Sequence, residues 1–276
     1  MSDRRSLPSG PDLRRLRDEA KARRRAGEFS TLALAQLAIA REHGFASWPR
    51  LKLAIEALSL DAAERALALV NSACSSDVRR ARALLDAHPE LARHDLACAC
   101  VSGETEMVAR RLASTSELVR TKVPPFGWEP LLYACFSRLL RAEPSRAEGI
   151  REVAGLLLAA GADPNAWFDH DGWKQVPLYG AAGIANDVAL TRMLVDAGAD
   201  PNDAREPDGI GEALYHAVEF PDPACAALLI EAGTRPDVID YCLGRALNFP
   251  APAMVGMMCA HGARASGGNL HEAVLK

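Results

Sequence analysis

The sequence predicts an all-α fold built as a tandem array of short helical hairpins. Apolar runs end in a glycine turn four times, at Gly161, Gly198, Gly233 and Gly262, at intervals of 37, 35 and 29 residues. A Leu-x-x-Ala step recurs between these turns. The composition is 49% hydrophobic but only 5% aromatic, which suits thin, closely stacked helices. A period near 33 residues indicates a repeat architecture.

The alanine of the Leu-x-x-Ala step has a physical reason. The first helix of each hairpin must approach its neighbour closely, and a larger side chain would separate the stacked layers. A proline before the step fits a helix start, and the glycine after the second helix fits a left-handed cap. The step occurs at Leu96/Ala99, Leu131/Ala134, Leu178/Ala181, Leu214/Ala217, Leu243/Ala246 and Leu270/Ala273, and poorly at Val70/Ala73.

Two motifs in fixed order carry a family resemblance. Gly127-Trp-Glu-Pro-Leu-Leu-Tyr-Ala134 opens a first helix, and Gly-Ala-Asp-Pro-Asn follows a second helix at 161–165 and again at 198–202. This pattern resembles the ankyrin repeat. The run from Gln36 to Lys52 is similar to a leader of some bacterial ankyrin-repeat proteins. The resemblance implies a solenoid of about six helix-turn-helix units with short hairpin loops, preceded by a helical capping pair.

The expected organisation has three parts. Residues 1–27 form a basic tail that is flexible or partly helical, residues 28–60 a helical pair, and residues 61–276 the repeat array. The segment 141–149 is expected to lengthen the connection within the third unit. Residues 266–276 predict the opening helix of a further repeat, which is either a degenerate cap or the start of a unit that the natural chain continues. The expected units are 62–92, 93–123, 124–165, 166–202, 203–237 and 238–265.

The N-terminal region differs in charge from the array. Residues 1–27 carry nine Lys or Arg against four acids, whereas the other residues carry 23 against 32. Ser30 and Thr31 are expected to cap one helix, which Gly44 ends, and Ser47 to cap a second. We expect Trp48, Leu51 and Ile55 to be buried against the first repeat. The alternative is a helix-turn-helix that binds DNA, which Pro49, Arg50 and the acidic array disfavour.

The sequence also limits where the protein can reside and which catalytic or metal sites it can contain. No stretch is apolar over the roughly 18 residues that a membrane span needs, so we expect a cytoplasmic protein without a membrane partner. The seven scattered cysteines are typical of reduced core residues. No local motif for a metal, nucleophile or phosphate site is present, so we expect no catalytic residues, no metal and no cofactor. Asp169-His170-Asp171 is interpreted as a hairpin tip.

The ankyrin resemblance implies binding through the hairpin tips and the exposed ends of the first helices. Large apolar side chains recur at these positions and are typical interface anchors. Two alternatives stay open: the phenylalanines pack beneath the following loops, or the tryptophans cover a thin core. The candidate partner-binding residues are Phe126, Trp128, Phe136, Trp167, Phe168, Trp173, Lys174, Ile184, Glu219, Phe220 and Phe249.

The expected function is an intracellular scaffold or adaptor that binds another protein along this surface. The first alternative is a regulator that contacts nucleic acid through residues 1–58, although nucleic acid is the less favoured partner. The second is an enzyme or small-ligand binder with a site between the Trp-rich tips and the groove. Self-association through the C-terminal unit is left open.

Overall fold

The computed structural model describes residues 12–58, 60–204 and 209–264. The described chain is mostly helical, which confirms the all-α class. It divides into two compact units, one of residues 1–72 and 79–91, the other of 73–78 and 92–276. The α-helices are α1 Leu13–Arg25, α2 Leu32–Glu42, α3 Trp48–Leu58, α4 Ala62–Ala73, α5 Val78–Ala87, α6 Leu96–Ser102, α7 Thr105–Ser114, α8 Pro130–Cys135, α9 Leu139–Ala142, α10 Pro144–Ala159, α11 Val188–Asp196, α12 Glu212–Ala217, α13 Ala224–Glu231, α14 Pro236–Ala246 and α15 Pro252–Ala260.

The first unit has its own core among α1, α2 and α3. The side chain of Thr31 caps α2 by accepting from the Leu34 N–H, as expected. Leu51 and Ile55 of α3 are buried and Trp48 is partly buried. These side chains pack in one cluster with residues of α1 and α2.

The segment expected as a basic tail contains a packed helix. Asp12 caps α1 through its side chain, and Leu16 and Ala20 are buried in the core of the first unit. Arg23 also bridges α1 to α2, with one nitrogen donating to Glu42 Oε2 at 2.9 Å. The reason is amphipathicity, because the apolar face of α1 is covered while its arginines other than Arg23 are exposed. Residues 1–11 lie outside the described residues.

In the second unit the helices form consecutive pairs. The first helix of a pair contacts the first helix of the next pair, and the second contacts the second. The first helices are α6, α8, a π-helix Tyr179–Ala185, α12 and α14; the second helices are α7, α10, α11, α13 and α15. The alanines of the Leu-x-x-Ala step are fully buried, as close packing requires: Ala99, Ala134, Ala181, Ala217 and Ala246. Ala273 lies outside the described residues.

Most of the first expected repeat, residues 62–92, belongs to the first unit and not to the array of helix pairs. The helices α4 and α5 cluster largely with the first unit rather than with the other helix pairs. Short 3₁₀ helices span Pro89–Arg93 and Ser116–Arg120.

The glycine turns have the predicted geometry. Gly161, Gly198, Gly233 and Gly262 all have φ between 90° and 102°. A Cβ added at any of them would meet nothing within 4 Å, so the backbone angle and not crowding favours glycine.

Asparagines connect consecutive turns at the repeat period. Asn165 Nδ2 donates to Gly198 O at 3.0 Å, and its Oδ1 accepts from the Asp200 N–H at 2.8 Å. Asn202 makes the same pair of bonds with Gly233 O and the Arg235 N–H, at 3.0 and 2.8 Å. The first three glycine turns are therefore tied to one another in order along the chain.

The insertion in the third unit is helical rather than an extended connection. Pro144 starts α10, since its fixed φ and missing N–H suit the first helical turn. Gly149 then lies against α6, and a Cβ there would be 2.5 Å from Gly103 O. Residues 141–142 end the short helix α9 and residues 144–149 begin α10, so most of the segment expected to lengthen the connection is helical.

One small sheet interrupts the helices of the described chain. Strands β1 Phe168–His170 and β2 Trp173–Gln175 pair antiparallel, with Asp169 opposite Lys174. Asp171 and Gly172 make the two-residue turn with φ of 51° and 88°, the geometry that Asp-Gly favours in hairpins. None of the helices that the structure describes has both the length and the apolarity to cross a bilayer.

Candidate functional site

Two neighbouring loops of the second unit, 122–129 and 166–175, carry most of the candidate aromatic residues; we call them the finger loops. The first is held by a bridge between Val123 and Trp128. The Tyr133 hydroxyl accepts from the Phe126 N–H at 2.9 Å and donates to Val123 O at 2.8 Å. Burial raises the pKa of Tyr133 to about 12, so the hydroxyl keeps its proton for this bond.

Trp128 joins the two finger loops. Its ring stacks on Phe168 with centroids 4.0 Å apart and lies 4.6 Å from the ring of Phe126. It also contacts Tyr133 and Phe136, at 5.2 and 5.6 Å. Such pairs add to burial energy, so the loops are fixed by rings from sequence positions about 40 residues apart.

Phe136 is not part of an exposed row along the groove. Its side chain is 3% exposed, and its ring lies 5.0 Å from Phe168 and 5.7 Å from Tyr179. Val101, at the same position of the preceding pair, is fully buried as well. Of the open alternatives for the groove positions, exposure does not hold at Phe136, and α8 packs against both α6 and the π-helix.

Other finger residues remain at the surface. Phe126, Trp167 and Trp173 are 38%, 53% and 58% exposed. Lys174 is half-buried, forms a salt bridge with Asp203, and has its Nζ 5.7 Å from the Trp167 ring centroid. Trp173 and Trp167 are thus held on a rigid hairpin and still face solvent.

A cavity of about 520 Å³ lies between the two finger loops; we call it the finger pocket. Aromatic side chains line it together with acidic ones, including Glu129 and Asp163. Burial, and secondarily the charge of Asp163, raises the pKa of Glu129. The pocket combines apolar surface with poorly compensated negative charge.

Glu219 belongs to an ionic cluster at the ends of the first helices. His216 lies between two carboxylates, with Nε2 3.0 Å from Glu212 Oε2 and Nδ1 3.1 Å from Glu219 Oε1. Arg245 donates to the same Glu219 oxygen at 2.6 Å. The hydrogen bond to Glu212 is the main cause that raises the pKa of His216, and it outweighs partial burial.

The remaining groove candidates are partly covered. The Arg141 guanidinium lies 4.6 Å above the Phe220 ring, and that of Arg245 lies 5.2 Å above the Phe249 ring. Ile184 of the π-helix is half-buried. Arginine side chains therefore cover Phe220 and Phe249. Neither alternative drawn from the sequence had predicted this arrangement.

Three possible metal-ligating atoms lie close together at the start of α6. His94, Asp95 and Cys98 place them within 4.8 Å of one another. Asp95 Oδ1 accepts from the Cys98 N–H at 2.8 Å, so helix capping accounts for their proximity. Burial raises the pKa of Cys98, which disfavours the thiolate that a metal would need.

The candidate residues taken from the sequence omit several residues of this site. Tyr133 and Glu129 lie within the opening motif and were not among the candidates. Tyr179, which contacts Phe136 and His216 through its ring, follows Leu178 of the next motif directly. The sequence did offer a signal for these tyrosines, because one follows the motif leucine closely in both copies. Tyr133 comes two residues after Leu131, and Tyr179 comes one residue after Leu178.

Comparison with known proteins gives limited similarity. No protein-family model matches the chain. The E3 ubiquitin-protein ligase KEG of Arabidopsis thaliana is 36% identical over 100 residues, which are 36% of this chain and 6% of the ligase. That ligase contains ankyrin repeats, so the match is consistent with a repeat pattern in this chain.

Proposed function

We propose that the chain is an ankyrin-type repeat protein that binds another protein through its finger loops and the adjoining ends of the first helices. The helix pairs, the buried alanines and the asparagine bonds between turns support the repeat assignment. An array of stacked hairpins provides an extended surface, which suits a macromolecular partner.

One observation carries the binding role. Six large hydrophobic side chains are exposed in the described part of the chain, and three of them, Phe126, Trp167 and Trp173, lie on the two finger loops. Aromatic residues bury much area for little loss of conformational entropy, and clustered exposed ones mark contact surfaces. The other three are dispersed: Leu34, Leu67 and Tyr241.

A binding role is favoured over catalysis by the state of the reactive groups. Burial raises the pKa of six of the seven cysteines, which reduces their nucleophilicity. Both ring nitrogens of His216 are engaged by carboxylates, so this histidine is poorly placed to act as a base. All seven cysteines are described and are free thiols, which is typical of proteins in a reducing compartment.

A second candidate rests on α1. Its outward face carries exposed arginines, which favour a polyanion such as nucleic acid. Because Leu16 of the same helix is buried, deletion of residues 1–27 would damage the first unit as well as remove charge. Substitution of exposed arginines is the better test: Arg14, Arg15, Arg24 and Arg25 to Gln.

The experiment is quantitative affinity purification from the native cytosol with three variants. Trp167→Ala/Trp173→Ala removes the exposed finger aromatics, and Leu67→Ala removes an exposed apolar side chain from the first unit. The four-arginine variant tests α1. We expect one set of proteins to bind the parent chain, the Leu67 variant and the arginine variant, but not the tryptophan variant.

Two outcomes would contradict the proposal. Equal recovery of partners by the tryptophan variant would show that the finger loops do not bind them. Recovery of nucleic acid that falls steeply with salt and disappears in the arginine variant would favour the second candidate.

A further inference from the structure

The finger pocket is lined by aromatic side chains and by charged side chains. Phe126, Trp128, Trp167 and Phe168 provide aromatic surface. Rings of this kind attract a cation placed over their faces, by about 0.5–2 kcal/mol according to exposure. The Lys174 ammonium near the Trp167 ring already shows such a contact at the margin of the hairpin.

The charged lining is mainly acidic. Glu129, Asp163 and Asp169 line the pocket, against a single ammonium group from Lys122. The positive charge of Arg120, whose Nε donates to Gly161 O at 2.9 Å, also acts on Glu129, so two cationic groups oppose the three carboxylates. The pocket therefore carries excess negative charge in a partly desolvated, aromatic setting, where a cation is the complementary group.

Glu129 is a pocket carboxylate with one buried oxygen that lacks a hydrogen-bond partner. It precedes Pro130 at the start of α8, yet its side chain makes no capping hydrogen bond. Its Oε2 is buried and has no hydrogen-bond partner. A buried carboxylate oxygen without a partner is costly, so a positive charge entering the pocket would stabilise it.

We infer that the finger pocket binds the cationic side chain of a lysine or arginine from a basic segment of the partner protein. This rests on the proposed function and specifies the partner's chemistry. The source is a protein segment rather than a free amine because Trp173, on the same hairpin but outside the pocket lining, is 58% exposed and extends the apolar surface. Residues next to the bound cation would cover that surface, which a small amine would leave exposed.

The test uses n-butylammonium, which reproduces the end of a lysine side chain, and 1-butanol as its neutral counterpart. The full chain is labelled with ¹⁵N, and the four tryptophan indole N–H signals are assigned by single Trp→Phe variants. Sodium chloride is added to the butanol series so that ionic strength is matched. For a ligand this small, binding in the millimolar range is expected.

We expect n-butylammonium to shift the Trp128 and Trp167 signals saturably, while Trp48 in the first unit stays unchanged. Butanol should shift them much less. Glu129→Gln should weaken n-butylammonium binding about 3- to 10-fold, and the matched control Glu231→Gln, at an exposed position outside the pocket, should not. Trp167→Ala is the second variant, because its exposed side chain can be removed without disturbing the core.

Three results would overturn the inference: no saturable shift through the millimolar range, equal shifts with butanol, or equal affinity in the two glutamate variants. These failures are separable from failure of the proposed function. If partner capture depends on Trp167 and Trp173 but n-butylammonium binds no better than butanol, the proposed function is supported and the inference is contradicted. Capture that ignores the tryptophans would remove the function.

Discussion

In the second unit, the base of the connecting loops, at Asn165 and Asn202, and their tip, at Trp167 and Trp173, make different kinds of contact. At the base, Asn165 and Asn202 pair with backbone groups of the next turn, so the polar groups of one loop satisfy those of its neighbour. At the tip, Trp167 and Trp173 face solvent on a hairpin held by its own backbone pairing.

The difference indicates where stability and recognition are located. Bonds at the base recur at the repeat period and fix the spacing of the helix pairs. Tip residues contribute little to that spacing, and the aromatic surface they expose is available to a partner. Substitutions at the base should therefore lower the free energy of unfolding, and substitutions at the tip should lower affinity.

The largest effect on stability is expected for Asn165→Ala/Asn202→Ala. Four hydrogen bonds between consecutive turns are lost, each worth about 0.5–1.5 kcal/mol, so the free energy of unfolding should fall by about 2–6 kcal/mol. Guanidinium denaturation followed by far-UV circular dichroism measures it. Asn248→Ala is the control, since Asn248 bonds only Gly244 O within its own helix end. Equal losses in both would contradict the role of the base.

A smaller loss is expected for Gly198→Ala. The backbone φ of 93° is unfavourable for alanine, so the free energy of unfolding should fall by about 1–2 kcal/mol although the site is open. Gly256→Ala is the matched control in α15, where a Cβ also meets nothing. There the change should stabilise by about 0.5–1 kcal/mol. A lower denaturation midpoint for Gly198→Ala and a higher one for Gly256→Ala would support the left-handed turn at Gly198. Higher midpoints for both variants would contradict it.

At the tip, Trp167→Ala/Trp173→Ala should leave stability nearly unchanged. Both side chains are more than half exposed, so the free energy of unfolding should shift by less than about 1 kcal/mol. The same denaturation assay checks this. A loss as large as that of the asparagine variant would mean that the tryptophans serve the fold rather than a partner.

The smallest effect concerns pH. The folded chain raises the pKa of His216 through Glu212 and Glu219, so protonated His216 stabilises the fold at low pH. That contribution is complete below the unfolded pKa, about 6.5, and is lost as pH rises through the folded value. The melting temperature of the parent chain should therefore fall relative to His216→Gln as pH rises above about 6.5. Parallel profiles for the two chains would contradict this.

Much of the fold could be predicted from local sequence. The left-handed turns at Gly161, Gly198, Gly233 and Gly262 depend on the backbone angle of a single residue. The buried alanines depend on helical spacing, and Ala134, Ala181 and Ala217 are fully buried as expected. Such features repeat, so each copy of the pattern strengthens the prediction from the others.

The candidate site could be predicted only in part. The sequence identified Trp128, Trp167 and Phe168 as loop aromatics, but which rings would stack and which would stay exposed depends on neighbours from other loops. Phe136 is buried because α8 packs between α6 and the π-helix. The partly buried carboxylate of Glu129 likewise results from the packing of the second finger loop.

The sequence by itself determined the helical class, the repeat spacing and the turns, because helix periodicity, capping and backbone angles act over a few residues. Only the tertiary structure decided the membership of α1 in a core, the helical insertion at Pro144 and the finger pocket. These features depend on side chains that are distant in sequence and become neighbours when the pairs pack. Burial and charge compensation are properties of that packed arrangement.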